Sequence, residues 1–337
     1  MAIQKNIGEI SYSQDLYWQE RKGGMKLLPA QLTGIFARSK ELIRATRDLD
    51  RRRTTFEELE KIRRADVKKI ISLQKDFEFV VDGNLRWQDL LRPFTKAAGI
   101  ELGPLTRFFE TNTFYRRPII QDKIKFDPKE IEKYFYLDLL PTNKKIILPG
   151  LVTFYGLSEN QYYKKGFMIV LADILSQVVK YLVQQGVKAI QFSEPFLAYR
   201  GKQLTDKGFA MAKDAYQIIA DAKNNAEISL HTYFGDFTAI LKVLKFPVDS
   251  ITIDLTATDL EKLKFETDKK IGLGCIDSAN SLFENPKETI KFVSTLIKKL
   301  KLNKFFVCPT CDLDFLPEPV AEKKVAILRK VASEFSD

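Results

Sequence analysis

"KKIILPGLVTFYGLSENQYYKKGFMIVLADILSQVVKYLVQQGVKAIQFSEP", residues 144–195, decides the fold. It opens on a short apolar run, "KKIILPG", stopped by proline and glycine, and closes on another, "VKAIQFSEP". Between them "GFMIVLADILSQVVKYLVQQG" has the length and period of a helix. Two strands joined through a helical crossover must run parallel.

The unit recurs in both directions along the chain. Apolar runs rich in β-branched or aromatic residues begin at 77 ("FEFVVDG"), 226 ("AEISLHTYF"), 249 ("DSITIDL"), 269 ("KKIGLGCID") and 304 ("KFFVCPT"). With "IQKNIGEI" at residue 3 they make eight. Eight βα units predict an α/β chain folded as a single (βα)8 TIM-type barrel spanning residues 1–337, with functional groups on the C-terminal ends of the strands. An open doubly wound sheet is the alternative, but the chain has no GxGxxG or GxxxxGK[ST] loop for a nucleotide-binding version.

Two segments interrupt the rhythm. Residues 39–76 are charged with apolar positions at helical spacing, and Thr54-Thr55 before "FEELEKI" is a capping signal, so they predict a helical hairpin forming an N-terminal helical extension. "LTRFFETNTFYRRPIIQDKIKF", residues 105–126, reads as a hairpin inserted between the second and third units.

Composition narrows the classes. At 337 residues and 45% hydrophobic content the chain can bury a large core, which excludes disorder. Lys and Arg exceed Asp and Glu by 54 to 44, a balance compatible with an anionic partner or simply with a solvated surface. No uninterrupted apolar segment approaches the roughly 20 residues of a membrane helix, and the first residues lack the apolar core of a signal peptide. The expectation is a cytoplasmic protein with no membrane partner. Cys275, Cys308 and Cys311, an odd number without repeated spacing, are expected to be reduced thiols.

The strand ends supply the candidate chemistry: Asp82-Gly83-Asn84, Ser193-Glu194-Pro195, His231-Thr232-Tyr233, Asp254 and Cys308-Pro309-Thr310-Cys311. His231, the only histidine, with Asp254, Cys308 and Cys311 are zinc-type ligand residues on late strands, though a lone CxxC does not specify a site. The alternative for His231 is a buried imidazole hydrogen-bonded to a neighbour such as Asp254 or a backbone carbonyl.

The ends also form an ordered series: "IGEIS", "VVDGNLRWQDL", "FFETNTFYRRP", "ILPGLVTFY", "IQFSEPFL", "HTYFGDF", "ITIDL" and "CPTCDLDFLP". In this the chain resembles the cobalamin-independent methionine synthase family over essentially its whole length, as one barrel. The long enzymes of that family contain two related barrels, of which the C-terminal one holds a zinc that activates the homocysteine thiol for methyl transfer from methyltetrahydrofolate. The resemblance places the zinc ligands on Tyr233, Gly235, Asp254 and Cys311, two of which cannot serve as thiolate or imidazole ligands. The family's "IGS" start falls on Ile7-Gly8-Glu9, the acid after its "DG" turn on Asn84, and its "DEP" aspartate on Ser193.

"TYF" at 232–234, "FFETN" followed by Tyr115 and Pro118, and "TCDL" followed by Pro317 match the zinc-free N-terminal barrel. The resemblance therefore implies a methionine-biosynthesis protein with no resident cofactor. It would bind a folate-type methyl donor such as methyltetrahydrofolate and work with a separate zinc-bearing catalytic barrel. The substrate-binding residues expected are Arg116 and Arg117, whose guanidinium forks suit carboxylates, with Trp87 or Phe154 as a stacking surface and Asn84, Ser193 and Glu194 at the mouth. Two other readings compete: an active homocysteine methyltransferase with an atypical zinc site, and a nucleic-acid binder. Only net charge and "LDRRRTTF" at 49–56 suggest the latter, without any nucleic-acid-binding motif, and nucleic acid is not the expected partner.

Overall fold

The computed structural model describes residues 19–20 and 26–335. Strands β1 (Gln19–Glu20) and β2 (Lys26–Leu27) form a small antiparallel ladder. Helices α1 (Lys40–Asp50) and α2 (Phe56–Leu73) follow, then the long strands β3 (Ala98–Arg107) and β4 (Phe114–Lys125). The rest alternates: β5 (Lys145–Pro149), α3 (Leu151–Leu157), β6 (Glu159–Asn160), α4 (Phe167–Gln184), β7 (Ala189–Ser193), α5 (Pro195–Tyr199), α6 (Asp206–Asp221), β8 (Glu227–Thr232), β9 (Ser250–Asp254), β10 (Lys270–Ile276), α7 (Pro286–Leu300), β11 (Phe305–Pro309) and α8 (Glu318–Glu334).

Six strands form one parallel sheet in the order β11-β10-β9-β8-β7-β5. Two less regular segments join its edges. Ala30 bridges Val307 of β11 and Val80 bridges Lys144 beside β5, both in parallel. Between these two segments the Glu78 N–H donates to the Ala30 carbonyl at 3.0 Å, so main-chain bonds run round a ring of eight members. Seven of the eight expected strands take their places in it. The eighth place belongs to the chain around Ala30, whereas "IQKNIGEI" and the Ile7-Gly8-Glu9 motif lie outside the described residues.

Two expectations need correction. The helical hairpin is not an extension: α1 and α2 lie between the first and second ring members and serve as the first crossover. Nor does every strand carry an α-helix, because the crossover after β8 is a 3-10 segment (Phe237–Lys245) and the one after β9 is irregular. The inserted hairpin is present as β3 and β4, starting seven residues earlier than the sequence pattern suggested, because 98–104 pair with the far end of β4.

Alternation along the strands divides the ring. Ile146, Leu148, Ile190, Phe192, Ile228, Leu230, Ile251 and Ile253 are buried outward beneath the helices. The interior face is unusually polar, with Lys145, Gln191, Ser193, Ser229, His231, Ser250, Thr252 and Cys308 all buried. At the lower end a network ties the ring across its seams. Glu78 accepts from Lys270 and from Gln31 (2.8 Å), Gln31 accepts from Lys145 (2.8 Å), and Glu227 accepts from Ser250 (2.8 Å). Helix α4 is long and apolar enough to cross a membrane by composition, but 56% of it is buried in the molecule, as expected of a core helix.

Candidate functional site at the barrel mouth

The C-terminal strand ends converge as expected, and most of their polar side chains are engaged with the protein itself. Asp254, at the end of β9, accepts from Thr256 (N–H 3.0 Å, Oγ1 2.6 Å) and Ala257 (3.2 Å) through Oδ1, and from the Phe234 N–H (3.3 Å) through Oδ2. Burial pushes its carboxyl pKa up, against these hydrogen bonds. Tyr233 donates to Asp312 Oδ2 at 3.1 Å, and Asp312 Oδ1 accepts the Ile35 N–H at 2.9 Å, locking the first ring member to the turn after β11. Asp312 and Asp314 are both raised above the usual carboxylate range, chiefly by burial, and Asp314 also by the charge of Asp312.

Gly235 carries no side chain for a steric reason. A Cβ there would lie 2.3 Å from the Ala198 carbonyl oxygen, inside any allowed contact, so no thiolate or other ligand fits at this position. Cys311 is buried with its sulfur 3.8 Å from both Thr310 Oγ1 and the Asp312 carbonyl. Burial raises the thiols of Cys308 and Cys311 well above their ordinary range. Among the described residues no three His, Cys, Asp or Glu side chains are gathered as a metal requires. This donor set does not fit zinc.

His231 departs from both of its expected roles. It is fully buried, its ring lies 4.9 Å from that of Tyr233, and neither ring nitrogen has a hydrogen-bond partner among the described residues. The expected bond to Asp254 or to a carbonyl is not made. Burial, then the nearby Lys145 ammonium, hold its pKa well below 6.5. Lys145 donates to Gln31 Oε1 (2.8 Å) and to the Leu32 carbonyl (3.0 Å), and burial lowers it to about 8. Because the folded imidazole stays neutral while the unfolded one protonates near 6.5, its contribution to stability is present above that pH and lost as pH falls. The loss is up to about 1.4 kcal/mol per pH unit. His231→Leu is expected to remain within about 1 kcal/mol of wild type at pH 7 and to lose this part of the acid sensitivity, as read by urea unfolding at pH 5 and 7.

The expected substrate residues are dispersed. Trp87 is wholly buried against Phe135 (ring centroids 5.4 Å) and accepts from Arg38 through its carbonyl, so it is core and not a stacking platform. Phe154 is likewise core, 5.3 Å from Phe94. Asn84, in a left-handed conformation (φ 53°), donates from its side chain to the Ile147 carbonyl at 3.1 Å and ties the second ring member to β5. Ser193 is buried inside the barrel, 3.3 Å from Gln191 Nε2. Glu194 accepts four hydrogen bonds: from Val152 N–H and Thr153 N–H at 2.8 Å, Thr153 Oγ1 at 2.7 Å, and the Tyr216 hydroxyl. It fastens the start of α3, with two protein donors on each of its carboxylate oxygens.

Arg116 and Arg117, adjacent on β4, point to opposite faces of the hairpin. Arg116 lies across from the exposed Leu105, whereas Arg117 sits 3.8 Å from Glu159. They do not act as one clamp.

Sequence reading missed the lid. The turn joining β3 to β4 folds over the end of β8, where Phe109 packs 5.0 Å from Tyr199 and 5.7 Å from Phe234, and Phe108 lies 6.3 Å from Phe234. Phe234 in turn contacts Tyr233 (4.7 Å) and Phe315 (5.7 Å), and Tyr199 donates to Glu110 at 2.8 Å. Phe109 and Phe234 both hold positive φ, 50° and 64°, a conformation uncommon for aromatic residues and kept here by the packing around them. The paired phenylalanines at 108–109 were the only available signal.

This parallel barrel, with a hairpin from between its second and third members folded over its mouth, has the fold of methionine-synthase barrels. A B12-independent methionine synthase from Shewanella has the same fold (TM-score 0.71, 19% identity, covering 91% of this chain and 97% of that one). A methyltransferase from Methanosarcina mazei is more distant (0.52, 13% identity, 90% and 93%). In sequence the chain is similar to the methionine synthase of Sulfurisphaera tokodaii, 26% identical over 315 residues, 89% of this chain and 90% of that one. It is 28% identical over 228 residues to a Bacillus cereus 5-methyltetrahydropteroyltriglutamate–homocysteine methyltransferase, covering 63% of this chain and 29% of that one. Residues 93–301 match the family described as cobalamin-independent synthase, N-terminal domain, and the chain belongs to that family.

Proposed function

We propose that the protein is a zinc-free subunit of methionine synthesis that binds a folate-type methyl donor and serves a separate zinc-bearing barrel. The observation that carries this reading is Gly235. At the position where the catalytic barrels of the family place a thiolate, the Ala198 carbonyl approaches too closely for any side chain. The commitments of Asp254 and Tyr233 to the protein's own groups support it. Match to the N-terminal family points the same way.

Without a metal, a homocysteine thiol near pKa 8.5 is only a few per cent ionised at neutral pH. Among the described residues none at the mouth offers to lower it, since the one imidazole lies buried beneath Tyr233. The chain's own residues supply instead a rigid mouth and a hairpin covering it. Purified protein is expected to retain substoichiometric zinc by elemental analysis. The deciding experiment is methyl transfer from methyltetrahydrofolate to homocysteine, by the chain alone and with a zinc-bearing barrel. Robust turnover by the chain alone would overturn the accessory reading.

The second reading, an active methyltransferase in its own right, is favoured by one observation. The Sulfurisphaera relative, itself named a methionine synthase, is a chain of similar length covered over 90% of its extent. Stoichiometric zinc, lost with Cys311→Ala or His231→Ala, would support it.

A further inference from the structure

Helix α1 carries a row of exposed cations that the fold uses only in part. Lys40, Arg44, Arg47 and Arg51 recur at intervals of four, three and four residues, so they share one stripe of the helix. All four are exposed, and with Arg53 from the turn that follows they line a groove of about 620 Å³. Among the described residues Asp48 is the one carboxylate lining the groove, and it is held by Arg53 at 2.5 Å and by Arg44 at 3.7 Å.

Structural demands explain only part of this row. Cations at a helix C-terminus are favoured by the backbone dipole, which accounts for Arg47 and Arg51 but falls off within the last turn. Lys40 stands at the opposite, positive end, where the same dipole disfavours it. Each neighbouring pair along the stripe repels, which weakens the helix. Arg52 adopts φ 58° just past the helix end, a position that glycine fills without strain, and this turn brings Arg53 into the groove's lining.

We propose that this groove is a binding site for an oligophosphate, a linear anion with phosphates at successive positions along α1. The stripe from Lys40 to Arg51 spans roughly 16 Å at the helical rise, enough for two or three consecutive phosphates of an extended chain. Guanidinium groups recognise phosphate oxygens through paired hydrogen bonds. The same chemistry is offered by a free polyphosphate and by the backbone of a single-stranded nucleic acid.

The test titrates the full chain with sodium tripolyphosphate and, separately, with an oligouridylate about twelve nucleotides long. Affinity is expected to fall with salt, and Arg47→Ala/Arg51→Ala is expected to weaken it about tenfold or more. For the oligouridylate the variant should also flatten the logarithmic salt slope by about 1.4, because two phosphates are no longer neutralised. Lys291→Ala/Lys298→Ala removes the same charge from exposed positions on α7 and is expected to change binding little. Tripolyphosphate binding identifies phosphates alone as sufficient, and binding of the oligouridylate alone identifies a nucleic-acid backbone. The proposal is overturned if neither probe binds, if the α1 variant binds as wild type, or if the α7 variant is weakened as much.

Discussion

Glu194→Ala is expected to destabilise the protein by about 3–5 kcal/mol, since four buried donors lose their acceptor at roughly 1–3 kcal/mol each, less what relaxation recovers. The donors are the Val152 and Thr153 N–H groups, the Thr153 hydroxyl and the Tyr216 hydroxyl, all within buried surroundings. Two of them are main-chain groups at the first turn of α3, which have no partner within the helix. Close approach is possible because Gly150 has no Cβ: one there would fall 2.1 Å from the Glu194 carboxyl carbon. Urea unfolding of wild type and variant, compared at equal slope, gives the difference.

Glu194→Gln separates a positioning role from a binding role. The amide keeps one acceptor oxygen, and its NH2 group can donate to either the Thr153 or the Tyr216 hydroxyl. It must then face one main-chain N–H, so the cost should be about 1–3 kcal/mol, clearly below that of alanine. If the carboxylate instead held a substrate ammonium at the mouth, the two variants would be equally impaired in substrate binding and would differ little in stability.

Glu194 also shows what a sequence can and cannot disclose. The ring strands were legible because runs such as "KAIQF" and "SITID" are apolar on the helix-facing side and stop at Pro, Asp or Ser. That Glu194 lies at a strand end was equally legible. Which way its carboxylate turns depends on Tyr216, 22 residues away on α6, and on the start of α3, 41 residues before it. The first ring member was missed because "LLPAQL" is short, broken by Pro29, and joins the sheet through the isolated Ala30 bridge. The lid was missed for a related reason: positive φ at Phe109 and Phe234 is imposed by tertiary packing and has no local signature. Arg116 and Arg117 looked like a pair because they are neighbours in sequence, and strand alternation is what sets them on opposite faces.

Partner-dependent methyl transfer is expected to exceed that of the chain alone by about a hundredfold or more, combining full thiol ionisation at the metal with positioning of the two reactants. On the proposed reading the zinc-bearing barrel supplies the activated thiolate, and this chain supplies part of the donor's binding surface beneath the hairpin. The two arginines of β4 then become distinguishable, since they face opposite ways. Arg117 lies beside Glu159 and on the side of Tyr115, whose hydroxyl donates to the Leu157 carbonyl at 3.2 Å, so it belongs to the contact between hairpin and barrel. Arg116 lies across from exposed Leu105, with its guanidinium 3.4 Å from the Gly103 carbonyl. Arg117→Ala is accordingly expected to raise the KM for a donor with an acidic tail about five- to tenfold, with kcat little changed, as removal of a charge-assisted hydrogen bond predicts. The effect should grow with tail length and diminish as salt screens an exposed charge. Arg116→Ala is expected to change KM less than Arg117→Ala does at every salt concentration. Equal effects from both arginines would show that the hairpin reorients when the second barrel docks, and no effect from either would place the donor's tail elsewhere on the mouth.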